Sequence, residues 1–207
     1  MTAGVTIHVV DDDANLRTAM DRLLKLLGYA VAAYDSAEAF LAADPRGPGC
    51  ILLDVQMPGL DGLALHERLQ DIGNPLPVVF LSAHGDIPIS VRAIKRGAED
   101  FLTKPFKREE LAAAVERALA RDRMAREAGA ERAARQARID ALTPREREVL
   151  GHVIKGRLNK QIAADLGTTE RTIKAHRAAI TEKLGLRSAP EMATFCTGLV
   201  LAQGAAK

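Results

Sequence analysis

Residues 50–62 read Cys50-Ile51-Leu52-Leu53-Asp54-Val55-Gln56-Met57-Pro58-Gly59-Leu60-Asp61-Gly62. The apolar run Cys50–Leu53 has the length of a buried strand, and it ends on a carboxylate, Asp54. Working outward, the same alternation of short β-rich runs and amphipathic stretches recurs on both sides. Upstream, strands are expected at Thr6–Val10 and Tyr29–Tyr34, with helices at Leu16–Leu27 and, capped by Ser36, at Ser36–Ala43. Downstream come a helix at Leu63–Leu69, a strand at Pro77–Leu81, a helix at Ile87–Arg96, a short strand at Asp100–Thr103 and a strongly periodic helix at Lys107–Leu119. Five β-α units in about 120 residues predict an open, doubly wound, five-stranded parallel sheet with helices on both faces.

From Ala120 to Arg138 the composition shifts to Ala, Arg and Glu, which suits either an exposed helical linker continuing the previous helix or a flexible tether; with only Gly129 interrupting it, the helical linker is the favoured reading. Beyond Leu142 the pattern is all-helical: Pro144–Lys155, Lys160–Leu166, Glu170–Leu184 and Pro190–Leu201. The 207 residues carry a formal net charge of +2, which hides an asymmetry. Residues 1–122 hold 13 Lys and Arg against 18 Asp and Glu, whereas residues 123–207 hold 16 against 9. A basic half is a candidate for binding a polyanion. No apolar stretch approaches the roughly 20 residues that span a bilayer, and the N-terminus has no signal-peptide pattern, so a cytoplasmic protein without a membrane partner is expected. Cys50 and Cys196 lie far apart in apolar settings and read as buried, reduced thiols.

In open parallel sheets, function gathers at the C-terminal ends of the strands. The first expected strand runs into Asp11-Asp12-Asp13, the third ends at Asp54, the fourth meets Ser82, and the fifth is followed by Lys104-Pro105. Carboxylates from adjacent strands repel unless a cation neutralises them, and an all-oxygen ligand set suits Mg²⁺. Asp54 is placed to act as a nucleophile forming an acyl phosphate, Lys104 to hold the phosphate as a point charge, and Ser82 to donate a hydrogen bond to it. Each residue alone has a plainer reading. A single Asp after a strand is commonly a turn or a cap, and Asp13 fits a cap of the following helix. The combination at one end of the sheet carries the weight.

The segments VVDDD, ILLDVQMPGLDG, VVFLSAHGD and AEDFLTKPF resemble those of a receiver domain, with its flavodoxin-like fold, across residues 5–120. The resemblance implies Asp54 as the phosphorylation site, Asp12 as a direct and Asp11 as a water-mediated Mg²⁺ ligand, and the Gln56 backbone carbonyl as a further ligand. It also implies Lys104 as the phosphate-contacting lysine, Ser82 and Phe101 as the switch pair, and a cis peptide before Pro105. Phe101 as a plain core residue is the alternative, and the two roles are compatible. Gln56 and His84 each lie two residues beyond a pocket group, and either they flank the attacking water or they are ordinary loop residues.

In the basic half, Lys160–Leu166 is short and amphipathic, Gly167 suits a sharp turn, and Thr169 is placed to cap the next helix. That helix is expected to bury Ile173, Ile180 and Leu184 and to present Arg171, Lys174, Ala175, Arg177 and Ala178, as a helix lying in a DNA major groove would. An ordinary solvated basic helix is the alternative. Leu142-Thr143-Pro144-Arg145-Glu146-Arg147-Glu148-Val149-Leu150, Asn159-Lys160 and Arg171–Arg177 resemble the LuxR-type helix-turn-helix domain, and the pairing of the two halves resembles the FixJ branch of response regulators. This implies Lys174, Ala175 and Ala178 facing bases, and Asn159, Lys160, Thr172, Arg177 and His176 at the DNA backbone. His176 as a packing residue is the alternative, and Ala178 lacks the long polar side chain some relatives carry there. Pro190–Leu201 resembles the dimerisation helix of such domains.

The expected organisation is a receiver at 1–121, a helical linker at 122–139 and a LuxR-type helix-turn-helix domain at 140–207. The resemblance implies a two-component regulator. A sensor histidine kinase supplies the phosphate, the chain forms a homodimer when phosphorylated, and it binds double-stranded promoter DNA and contacts RNA polymerase, with activation as the output. Lys95, Arg96, Asp100, Lys107, Arg108 and Glu109 are candidate interface charges. No enzymatic turnover is expected beyond phosphotransfer and loss of the phosphate. The rival readings are a Mg²⁺-dependent aspartyl-phosphate hydrolase and a phosphorylation-gated protein-interaction module.

Overall fold

The computed structural model describes residues 4–83 and 87–199. The chain divides into two compact units between Arg126 and Glu127. In the first, β1 (Thr6–Val10), β2 (Ala30–Tyr34), β3 (Gly49–Asp54), β4 (Val78–Ser82) and β5 (Asp100–Thr103) form one sheet in the order β2-β1-β3-β4-β5. Every pairing is parallel, with Val10 opposite Leu53 and Asp54 opposite Leu81. β3 and β4 are buried along their whole lengths, which is why their sequences are continuous apolar runs rather than alternating ones.

The helices α1 (Ala14–Leu26), α2 (Ala37–Ala43), α3 (Gly62–Asp71), α4 (Ile87–Lys95) and α5 (Arg108–Asp140) follow the strands in turn. Met20 and Leu24 of α1 pack with Leu111, Ala114, Val115 and Ala118 of α5 on one face of the sheet. Phe40 of α2, Leu65 and Leu69 of α3 and Ala93 of α4 fill the other face. The starts are set locally. Asp13 caps α1, accepting from the amides of Asn15 (2.8 Å) and Leu16 (3.3 Å), Ser36 caps α2, and Asp61 caps α3 through the Ala64 amide at 2.7 Å.

The second unit packs around Ile139, Leu142, Val149, Leu150, Ile162, Ile173, Ile180 and Leu184, all 2% exposed or less. Its helices are α6 (Pro144–Val153), α7 (Asn159–Asp165), α8 (Glu170–Leu184) and α9 (Ala189–Phe195). α6 begins with a capping box: the Thr143 hydroxyl accepts from the Glu146 amide at 3.2 Å, and Glu146 accepts from the Thr143 amide at 2.7 Å.

Several element bounds differ from those expected: α6, for one, stops at Val153 rather than Lys155, ahead of Gly156 at φ +74. The periodic stretch 107–119 is only the first part of α5, which continues unbroken through Asp140 because Ala, Arg and Glu favour helix even without an apolar face. α9 ends at Phe195, short of Leu201. Cys196 caps it, and Gly198 adopts φ +73, a left-handed conformation that a helix cannot continue through; Leu201 lies outside the described residues. Cys50 and Cys196 are buried and unbonded to each other, and burial, aided by the nearby Asp122 carboxylate, pushes the Cys50 thiol up to about 12. Among the described residues, no helix is long and apolar enough to cross a membrane.

Candidate functional site

The sheet order reverses between β1 and β3, so the loops leaving these strands open a crevice at their C-terminal ends. Asp11 follows β1 and is 1% exposed; Asp54 closes β3 and is 5% exposed. Lys104, just past β5, reaches between them: its Nζ lies 2.8 Å from Asp11 Oδ2 and 2.5 Å from Asp54 Oδ1. The other carboxylate oxygens are also engaged. Asp11 Oδ1 accepts from the Asp13 amide and Asp54 Oδ2 from the Gln56 amide, both at 2.8 Å. Two buried carboxylates on neighbouring strands therefore share one ammonium.

The electrostatics follow from this crowding. Burial is the largest influence on Asp54, and the Asp11 charge adds to it. Together they hold its carboxyl above the ordinary range against the opposing pull of Lys104. Burial works against the Lys104 charge, but its bonds to Asp11 and Asp54 win and its pKa is raised.

Asp12 stands exposed beside this pair, and the Gln56 side chain is exposed too. Ser82 ends β4 at 4% exposure, and its carbonyl accepts from the Lys104 amide at 2.7 Å. Phe101, on β5, is half-buried with its ring centroid 6.4 Å from that of Phe80. The Lys104–Pro105 bond is cis. His84 lies outside the described residues. Among the expected interface charges, Asp100 pairs with Arg117 and Arg96 with Glu67.

Among the described residues, no three His, Cys, Asp or Glu side chains converge into a ready metal cage; Asp12 faces solvent and Lys104 stands between Asp11 and Asp54. The donor chemistry nonetheless fits a hard cation. Asp11, Asp12 and Asp54 with the Gln56 carbonyl offer oxygen ligands only, and the two buried carboxylates already share a single positive group.

Two supporting residues were given no role by the sequence: Gly62, which ends the ILLDVQMPGLDG segment, and Arg17. Gly62 opens α3 directly against the end of β3, where its amide donates to the Val55 carbonyl at 3.0 Å; a Cβ there would lie 2.0 Å from the Asp54 carbonyl oxygen. Arg17 of α1 donates from Nη1 to the Asp11 carbonyl at 2.6 Å, fixing the loop that carries the acidic pair. A third is legible in hindsight. Glu146 is 5% exposed and bonds Lys183 of α8 at 2.7 Å, and the T-x-x-E spacing at 143–146 is the sequence signal for its capping role.

In the second unit, α7 and α8 are joined by Gly167 at φ +60, with the Thr168 amide bonded to the Ala163 carbonyl at 2.9 Å. Thr169 caps α8 through the Thr172 amide at 3.2 Å. α8 buries Ile173, Ile180 and Leu184 and leaves Arg171, Lys174, Ala175 and Ala178 exposed. Thr172, His176 and Arg177 are half-buried. Arg177 Nη1 donates to Asn159 Oδ1 at 3.1 Å, so the first residue of α7 and the middle of α8 are braced, with Lys160 exposed beside them. The exposed residues Lys160, Arg171 and Lys174 make this face basic, with the small side chains of Ala175 and Ala178 among them.

The comparisons with known proteins cover both units. The response regulator receiver domain family matches residues 7–116, and the luxR family of bacterial regulatory proteins matches residues 140–196. The transcriptional regulatory protein FixJ of Bradyrhizobium diazoefficiens is 41% identical over 196 residues, 93% of this chain and 94% of that one. Among solved structures, the response regulator StyR is 40% identical and superposes with a TM-score of 0.81 over 94% of this chain and 99% of that one. Full-length FixJ from B. japonicum is 39% identical, with a TM-score of 0.59 over 95% of this chain and 97% of that one.

Proposed function

Because the chain belongs to the response regulators that couple a receiver domain to a LuxR-type DNA-binding domain, and regulates transcription as that family does, we propose that Asp54 is its phospho-acceptor and that phosphorylation governs its hold on promoter DNA. The observation that carries this reading is the Lys104 ammonium held between Asp11 and Asp54.

A receiver domain implies a histidine kinase as phosphodonor. An Asp54 oxygen attacks the phosphorus of the kinase's phosphohistidine in line, the P–N bond breaks, and the imidazole departs with the electron pair. Lys104 neutralises charge on the transferred group, and Ser82 donates a hydrogen bond to it. Receiver domains generally bind Mg²⁺ at this site. Asp12, Asp11, Asp54 and the Gln56 carbonyl would hold the ion, whose chemistry is to offset the charge of the incoming phosphoryl group. Ser82 then moves toward the phosphate and Phe101 turns inward, remodelling the surface around α4 and β5. The phosphorylated chain forms a homodimer. α8 enters the major groove with Lys174, Ala175 and Ala178 toward bases, while Asn159, Lys160, Thr172, His176 and Arg177 meet the backbone. The complex acts in the cytoplasm and contacts RNA polymerase to activate transcription. The only chemistry the receiver performs is acquisition and loss of its own phosphoryl group.

The test is a binding titration on duplexes selected from a random library, with and without acetyl phosphate and Mg²⁺, beside Asp54→Ala. Phosphorylation should tighten binding and drive dimerisation in the parent, with neither change in Asp54→Ala. Equal binding in all samples would overturn the reading.

A further inference from the structure

The segment 44–49, between α2 and β3, is gripped from two sides at the N-terminal end of the central strand, the end of the sheet opposite the pocket. On one side Arg46 reaches the end of α3, where Nη1 donates to the Gly73 carbonyl at 3.1 Å and Nη2 to the Ile72 carbonyl at 3.4 Å. Its Nε is held by Asp44 at 3.0 and 3.1 Å, and Asn74 adds a bond to the Pro45 carbonyl at 3.0 Å. On the other side Arg126, in α5, donates from Nη2 to the carbonyls of Arg46 (3.0 Å) and Gly47 (2.5 Å). Its Nε bonds both oxygens of Asp122 at 2.9 Å, and Asp122, 3% exposed, accepts from the Gly49 amide at 3.1 Å.

Each contact answers a specific need. The last carbonyls of a helix lack partners within it, and a guanidinium there also suits the negative end of the helix dipole. A buried carboxylate is costly unless it is paired and hydrogen-bonded, and Asp122 has both kinds of partner. The chain of contacts also extends beyond α3. Glu67 of α3 pairs with Arg92 of α4 at 3.5 Å and with Arg96, and the Gln70 amide bonds the Arg96 carbonyl. A polar path thus runs from α4 through α3 and the 44–49 segment to the turn Asp122–Arg126 of α5.

We propose that Arg46 and Arg126 form a clasp by which the receiver grips the base of the helix leading toward the DNA-binding half, with Arg46 a positioning residue that couples the end of α3 to the Asp122–Arg126 turn. The coupling rests on the functional reading above; the clasp itself does not.

Hydrogen exchange on the intact chain tests the clasp. Arg46→Ala and Arg126→Ala should each speed exchange of the amides of residues 119–126 at least tenfold, and the double variant no more than the faster single, because both cut one path. Arg46→Lys, which keeps the charge but loses the fork, should fall between parent and Ala. Parental protection of residues 119–126 in Arg46→Ala, or additive effects in the double variant, would overturn the clasp. In Arg46→Ala the gain in DNA affinity on acetyl phosphate treatment should shrink at least threefold while the rate of Asp54 phosphorylation is unchanged. An undiminished gain beside loosened amides would leave the segment a mere staple and overturn the coupling. If the parent's Asp54 takes up no phosphate, the functional reading falls, and the exchange data still decide the clasp.

Discussion

A methyl group at residue 62 would collide with the backbone oxygen of Asp54, so the start of α3 and the end of β3 meet at a distance only glycine allows. Gly62→Ala must push one of them aside. The receiver should lose about 1–3 kcal/mol, measurable as a fall in the urea midpoint, and the rate of Asp54 phosphorylation should drop with it. Two buried histidines give the same domain an acid limit. His8 packs near Tyr34 and Phe40, and His66 against Phe80; burial lowers both pKa values, and for His66 the Arg96 and Arg121 charges add to it. A histidine whose pKa is lower folded than unfolded contributes its full stability above the unfolded value near 6.5 and loses it as pH falls below that value toward the folded one. Denaturation at pH 5 should therefore come at lower urea than at pH 7.5, and His66→Gln should flatten that difference. An unchanged pH slope in the variant would assign the acid sensitivity elsewhere.

At the level of elements, strands and capped helices were readable because their signals are local. Cys50–Leu53 and the runs ending at Ser82 are continuous apolar stretches, and Asp13, Ser36 and Thr169 sit where their caps were expected. The pocket was readable for a related reason, since strand ends bring Asp11, Asp54 and Lys104 together once the strands are placed. Arg46, Asp122 and Arg126 were not. Their contacts join main-chain groups to side chains far away in sequence, Arg126 to the Arg46 and Gly47 carbonyls, Asp122 to the Gly49 amide and Arg46 to the Ile72 and Gly73 carbonyls, and such contacts leave no periodicity in the chain. Arg17 likewise acts on a carbonyl, that of Asp11, whereas Gly62 stands in a recognisable segment whose sequence does not say which backbone atom it must clear. The α6 capping box is local, and Thr143→Ala should cost the second unit about 1 kcal/mol in thermal or chemical melts. Glu146 is held below the usual carboxylate range, its bonds to Lys183 and Thr143 outweighing burial. Its contribution is present above the unfolded value of 4.5 and is lost as pH falls through the folded one, so Glu146→Gln should remove that acid step. On the neighbouring face, Lys160→Ala should weaken DNA binding alike on all sequences and reduce the salt slope by about 1, whereas Lys174→Ala should relax sequence preference.

For the whole molecule, the boundary between the units falls later than composition suggests. The shift to Ala, Arg and Glu begins at Ala120, yet Asp122 and Arg126 are bonded into the first unit, and at the far end of α5 Ile139 is fully buried in the core of the second while Arg138 lies 4.7 Å over the Phe195 ring. A receiver fragment ending at residue 121 should thus melt earlier than one ending at 126. A DNA-binding fragment beginning at 142 should be destabilised by about 2–5 kcal/mol relative to one that retains Ile139. Equal midpoints within either pair would move the boundary back to where composition places it.

The burial of both thiols has a practical consequence. Cys50, with its proton held to about pH 12, and Cys196, 7% exposed and also raised by burial, offer almost no thiolate to an alkylating reagent at neutral pH. The native chain is therefore nearly silent to maleimide dyes and spin labels. Single cysteines placed at exposed Met124 and Leu158 would be the reactive pair, ready for measuring how the distance between the two units answers phosphorylation.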